Sequence, residues 1–144
     1  MIIVRGSPRE AALSIPTTRA LAGIGLEDDR LGRRGETELS TRQVTLLQYE
    51  HQRVIAQLAR VHAIDLIALR RNLVVSGINL LALKNLRIRA GEALLEIVGP
   101  CHPCSRMEEA IGKGGYAAMR GHGGMTARVL ESGAIRIGDE ITIE

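Results

Sequence analysis

The segment Gly99-Pro100-Cys101-His102-Pro103-Cys104-Ser105-Arg106-Met107-Glu108-Glu109 holds the residue types in this chain best suited to chemistry. A thiolate attacks sulfur and binds soft metals, so the first question is which cysteine ionises. Pro103 suits the first position of a helix, where its missing N–H is not needed. Glu108 and Glu109 continue that helix, Ile111 ends it and Gly112 is a natural stop. Cys104 is then expected in the first turn, near unpaired backbone N–H groups and the positive end of the helix dipole, with Arg106 as a nearby cation. Each of these favours a Cys104 thiolate. A plainer reading stands beside it. Cys104, Met107 and Ile111 share one helical face, which would make the cysteine a small buried hydrophobe.

Cys101-His102-Pro103-Cys104 also fits the Cys-x-x-Cys dithiol pattern. Against a thioredoxin-like fold stand the lack of any Trp, the lack of a proline after Pro103, and flanking segments that read as hairpins. Zinc is weaker. Cys101 and Cys104 with two of His51, His62, His102 and His122 make four ligands, but no second pair has finger-like spacing. Downstream, Gly112-Lys113-Gly114-Gly115 and Gly121-His122-Gly123-Gly124 bracket Tyr116 to Arg120. Such glycines let backbone N–H groups approach an anion, with Arg120 beside them. The alternative is a flexible connection. Gly112, Gly114 and Ala117 nominally match a dinucleotide fingerprint, but they follow a helix and not a strand, so that match is rejected.

The elements that must position these residues are mostly strands. Residues 1–5 read as a first strand, and Gly6 to Gly35 as a loop-rich stretch with short extended pieces. Within it the charged cluster Glu27-Asp28-Asp29-Arg30, followed by Arg33-Arg34, reads as a solvated turn. Gln43 to Leu47 reads as a strand. From Gln48 to about Val61 the period is helical, with Leu47, Val54, Ile55, Leu58 and Val61 on one face. Asn72 to Val75 is a strand before a Ser76-Gly77 turn. Leu86 to Arg89 alternates, Ala90-Gly91 turns, and Glu92 to Val98 returns. Ala127 to Leu130 and Ala134 to Ile137 read as a hairpin. Ile135, Ile137, Ile141 and Ile143 keep one parity, which predicts one buried face, and Gly138-Asp139 marks a bulge or tight turn within it. The expected architecture is one domain over residues 1–144, mixed α+β but mainly β, with a β-barrel-like core and a few helices packed outside.

Composition narrows the function. Tyr49 and Tyr116 are the only aromatic rings. A protein that grips single strands by base stacking needs more, and a net charge of +3 is too mild to argue for DNA, so no nucleic-acid partner is expected. Lys occurs only at 84 and 113, so nearly all the positive charge is arginine, the better fork for phosphate or carboxylate. No segment has the length of a membrane span, and Met1 to Arg5 is no export signal. Two cysteines in such a chain suit reduced, cytoplasmic thiols.

Taken in order, these segments resemble the MOSC family, named for the C-terminal domain of molybdenum cofactor sulfurases. The matching text is Gly25 to Arg30, Arg42 to Leu46 with Glu50, Arg70 to Leu73, Gly77 to Leu80, Gly91 to Glu96, Gly99 to Cys104, Met119 to Gly124, and Gly138-Asp139. The resemblance implies a fold built on a β-barrel of the pyruvate-kinase-barrel-like kind, and a pocket with one essential cysteine, matched by Cys104. It implies that Cys104 carries sulfur as a persulfide or is the molybdenum ligand of the pterin molybdenum cofactor. Arg30, Arg70, Arg71 and Arg120, with Asn72, Gly121 and Gly123, are the cofactor-binding candidates, although each taken alone equally suits a structural role. No pyridoxal phosphate site is evident. A partner is implied, either a sulfur donor such as a cysteine desulfurase or an electron-transfer protein. The competing readings are a Cys101–Cys104 dithiol oxidoreductase and a non-catalytic anion- or partner-binding module.

Overall fold

The computed structural model describes residues 1–30 and 41–144. The charge pair Arg33-Arg34, with Gly32 and Gly35, lies outside the described residues. The strands are β1 (Ile2–Val4), β2 (Leu13–Ile15), β3 (Thr17–Leu21), β4 (Gly25–Leu26), β5 (Val44–Gln48), β6 (Leu73–Val75), β7 (Arg87–Ala90), β8 (Ala93–Pro100), β9 (Met125–Glu131), β10 (Gly133–Arg136) and β11 (Ile141–Ile143). The helices are α1 (His51–Ala59), α2 (Arg106–Ile111) and α3 (Gly115–Met119), with a 3-10 turn at Leu80–Leu83.

Eight strands form one sheet in the order β11-β7-β8-β9-β5-β6-β1-β2, and three form a second in the order β10-β3-β4. β5 and β6 run parallel, joined through α1, whereas the neighbouring pairs are antiparallel. Side chains alternate across a strand, so neighbours in sequence enter different cores. Ile2 and Val4 join Leu46, Leu73, Leu95, Ile97 and Ala127 in one cluster, which Ala20, Leu26 and Ile135 of the second sheet also enter. Ile3, Leu47 and Val74 point the other way, onto Ile55 of α1, Met107 of α2 and Met119 of α3. With both faces covered, β1 and β5 read as apolar runs without clean alternation. Truncating a fully buried leucine such as Leu95 is expected to cost about 3 kcal/mol.

The fold is mixed and mainly β, as expected, but the barrel is not closed. Among the described residues the two sheets do not join at their edges. The expected hairpin after Leu130 is also absent: β10 pairs with β3 in the second sheet, not with β9. Gly133 explains the crossing. A Cβ there would lie 2.3 Å from the Glu92 carbonyl carbon, so only glycine lets the chain pass so close to the β7–β8 turn.

The C-terminal isoleucines do not share a buried face. Ile135 is buried, but Ile137 and Ile143 are more than half exposed. Gly138 takes a positive φ, and the Asp139 carboxylate accepts the Arg136 N–H at 2.8 Å, so this is a tight turn. It delivers β11 to the outer edge of the large sheet beside β7. Leu58, expected on the buried face of α1, is exposed, and the buried stripe runs through Ile55 and Ala56.

Candidate functional site

Sheet order puts β1, β5 and β6 side by side, and their ends bring arginines from distant sequence positions together. A cavity of about 110 Å³ is lined by Arg5, Arg30, Arg42 and Arg70, with Asp29, Gln43, Thr45 and Asn72 between them. Burial and the charge of Arg70 lower the pKa of Arg5, with Arg30 and Arg106 adding and Asp29 opposing. Arg70 Nη1 is buried without a hydrogen-bond partner. Its backbone is left-handed, at φ 56°, a conformation that non-glycine residues rarely hold without reason. A buried guanidinium nitrogen left unpaired, among other arginines, makes this a place for an anion.

A shallower groove of about 760 Å³ adjoins the cavity and shares Ala12 and Arg70 with it. Arg106 and Glu109 of α2 form its other wall. The Pro8 carbonyl accepts from Arg5 at 3.3 Å and from Arg106 at 3.5 Å, which ties the cysteine helix to the loop after β1.

The cysteine segment differs from expectation in one respect. α2 begins at Arg106 with Ser105 as its N-cap, so Pro103 and Cys104 precede the helix and are not in its first turn. The Cys104 carbonyl accepts the Met107 N–H at 2.9 Å, which starts the turn. A six-residue helix carries little dipole, and its first residue, Arg106, directs its side chain to the Pro8 carbonyl. Cys104 is exposed, which excludes the buried-hydrophobe reading. Cys101 is half-buried, and burial pushes its thiol up against the pull of Arg71 and Arg42. Both cysteines are free thiols.

Of the residues expected to bind cofactor, Arg30, Arg70 and Asn72 line the cavity. Asn72 is occupied: its Oδ1 accepts the N–H and hydroxyl of Thr45, and its Nδ2 donates to the Ile3 carbonyl at 3.3 Å. Arg71 is buried and donates Nε–H to Gly123 at 2.7 Å and Nη1–H to Leu69 at 2.9 Å. Gly123 lies against the Cys101 carbonyl, where a Cβ would sit 2.5 Å away. Gly121 is open to its surroundings, and Arg120 is exposed and not among the residues lining the cavity. The glycine-rich stretch is no flexible connection, because it contains α3, whose Ala118 and Met119 are buried. Arg5 and Arg42 escaped the sequence reading, since each stands alone beside a strand and only strand order unites them. Among the described residues no group of three His, Cys, Asp or Glu side chains could hold a metal, so the zinc alternative has no support.

The MOSC domain model matches residues 27–142, which takes in the arginines at 30, 42 and 70 and the cysteine segment. The chain belongs to the MOSC domain family. Solved structures agree in fold. The YuaD protein from Bacillus subtilis superposes with a TM-score of 0.82 at 20% identity, over 97% of this chain and 91% of that one. YiiM from Geobacillus stearothermophilus gives 0.76 at 18% identity, over 99% of this chain and 72% of that one. YiiM from Escherichia coli gives 0.69 at 18% identity, over 99% and 67%. Among curated proteins no sequence match is found. MOSC domains are associated with the molybdenum cofactor, so this domain is related to that cofactor in a general sense.

Proposed function

We propose that this MOSC domain uses Cys104 as its working sulfur, carrying sulfane sulfur as a persulfide or holding the molybdenum of the pterin cofactor, while the arginine cavity takes an anionic group. The observation that carries this reading is an exposed Cys104 two residues before Arg106, whose charge reaches Arg5 in the cavity. For sulfur transfer, the Cys104 thiolate attacks the terminal sulfur of a donor persulfide. A new S–S bond forms, the donor's S–S bond breaks, and the donor leaves as a thiolate.

The residues fit the cofactor at its phosphate end. Arg70, with an unpaired Nη1, supports binding of a phosphate, Arg5, Arg30 and Arg42 line the same cavity, and 110 Å³ suits that group rather than the whole pterin. Cys104 is the soft ligand a molybdenum centre favours. When bound, the cofactor would supply two-electron redox chemistry. Arg71 and Asn72 act by holding the strands and the glycine loop in place, and Arg120 is left as an outer contact beside Gly121. The partner in this reading is a persulfide donor such as a cysteine desulfurase, or an electron-transfer protein, in a cytoplasm that keeps both thiols reduced.

The test is intact-mass analysis after incubation with a cysteine desulfurase and cysteine, run beside metal and pterin analysis of protein from a cofactor-competent host. A gain of one sulfur atom, or co-purified molybdenum, that is lost in Cys104→Ser supports the reading. Neither signal, or a signal that survives Cys104→Ser, overturns it.

A further inference from the structure

One pair of titratable side chains has no part in the proposed chemistry. His51 opens α1, and His122 follows α3 on the glycine loop. Their rings meet edge to face with centroids 5.1 Å apart. Nδ1 of each ring is buried without a hydrogen-bond partner. The loop carrying His122 is the one on which Arg71 and Cys101 rest. Gly123 O accepts from Arg71 Nε at 2.7 Å, and Gly124 O accepts from Cys101 N at 2.8 Å.

We propose that His51 and His122 form a pH-sensitive latch, which when neutral seats the Gly121–Gly124 loop against Cys101 and Arg71 and when doubly protonated releases it. Neutral imidazoles attract edge to face, whereas two imidazolium ions at this separation repel. Burial and the charge of His51 both lower the pKa of His122, so His122 resists taking a proton beside a charged His51. One neighbouring carboxylate, Glu50, attracts a charged His51 and so opposes the release. Glu50, beside His51, has its carboxylate committed to the Gly77 N–H at 2.7 Å. Arg71 stands behind Gly123 with its Nε–H on the Gly123 carbonyl, and Arg120 stands two residues before His122 with an exposed side chain. His51 is the one charge found to bear on His122. Gly121 has a φ of 80° and no atom within 4 Å of where a Cβ would stand, so the space beside it is open.

The test labels the intact protein with 2,2′-dithiodipyridine, which reacts with thiols in acid as well as at neutrality. Peptide mass analysis then gives the ratio of Cys101 to Cys104 modification between neutral and mildly acid pH. The ratio should rise several-fold on acidification in the wild type and stay flat in His51→Gln and His122→Asn. A flat wild-type ratio, or an equal rise in both variants, overturns the latch. Should either variant fail to fold, histidine C2–H titrations of the wild type decide. A His122 step below the ordinary histidine range that is displaced as His51 takes its proton supports the latch, and two independent ordinary titrations overturn it. Neither readout needs a sulfur donor or a pterin, so the latch stands or falls apart from the proposed function.

Discussion

Arg71 donates its Nε–H to the carbonyl oxygen of Gly123 at 2.7 Å. This bond joins the end of the turn before β6 to the loop before β9, and it fixes the ground on which Cys101 lies. A buried arginine here is a strut between backbone segments, and its charge is felt by the Cys101 thiol as a secondary consequence.

Replacing Arg71 by Met should therefore lower stability by about 3 kcal/mol, because two buried carbonyls lose charged donors. Urea denaturation measures it. Arg70→Met, at a cavity-lining residue with an unpaired nitrogen, should change stability far less and anion affinity far more.

Asn72→Ala should also destabilise, by about 2 kcal/mol, since one side chain links Thr45 of β5 to Ile3 of β1. Asn72→Asp keeps the acceptor for Thr45 but sets a carboxylate against the Ile3 carbonyl, so it should not rescue. Thermal unfolding of both variants checks this. Rescue by Asp would instead mark Asn72 as a ligand residue.

Gly124→Ala and Gly121→Ala separate crowding from conformation on one loop. A Cβ at Gly124 would lie 1.9 Å from the Leu46 carbonyl oxygen, whereas at Gly121 it meets nothing within 4 Å. Both glycines have positive φ, which alone costs about 1 kcal/mol. Gly121→Ala should cost that much, and Gly124→Ala should cost several times more or prevent folding, as read by denaturant midpoints.

These glycines show where the sequence was readable and where it was not. The β7–β8 hairpin and β5 were legible because alternation and turn residues are local signals. α3 was hidden, because Gly115 reads as a breaker. In fact its missing side chain lets α3 pack on α2, where a Cβ would lie 2.6 Å from the Met107 carbonyl oxygen. The helix after Cys104 was legible from its neighbours, although it starts three residues later than Pro103 suggests. Arg5 and Arg42 were not legible, because their meeting depends on β1, β6 and β5 lying side by side. The second sheet was hidden for the same reason: the pairing of β10 with β3 spans most of the chain.

Acid should act on the fold in two separate windows. The pKa of His122 is lowered in the folded state, so its contribution is complete above the ordinary value of 6.5 and is lost as pH falls toward the lowered one. The Glu108 carboxylate accepts from Gly114 N at 2.7 Å and Tyr116 N at 2.9 Å, which lowers its pKa. Its contribution is present above the ordinary 4.5 and fades below it. Stability measured against pH should fall first near the histidine range and again near the carboxylate range. His122→Asn should remove the first step, and Glu108→Gln should shrink the second, to which Glu50 and Glu92 also contribute.

The most direct measurement compares alkylation of the two cysteines by iodoacetate and by neutral iodoacetamide at low salt. If Cys104 is the reachable sulfur beside a cationic cleft, it is labelled ahead of Cys101. Its preference for the anionic reagent should shrink in high salt and in Arg106→Gln. Faster labelling of Cys101, or a Cys104 indifferent to the charge of the reagent, would contradict the account.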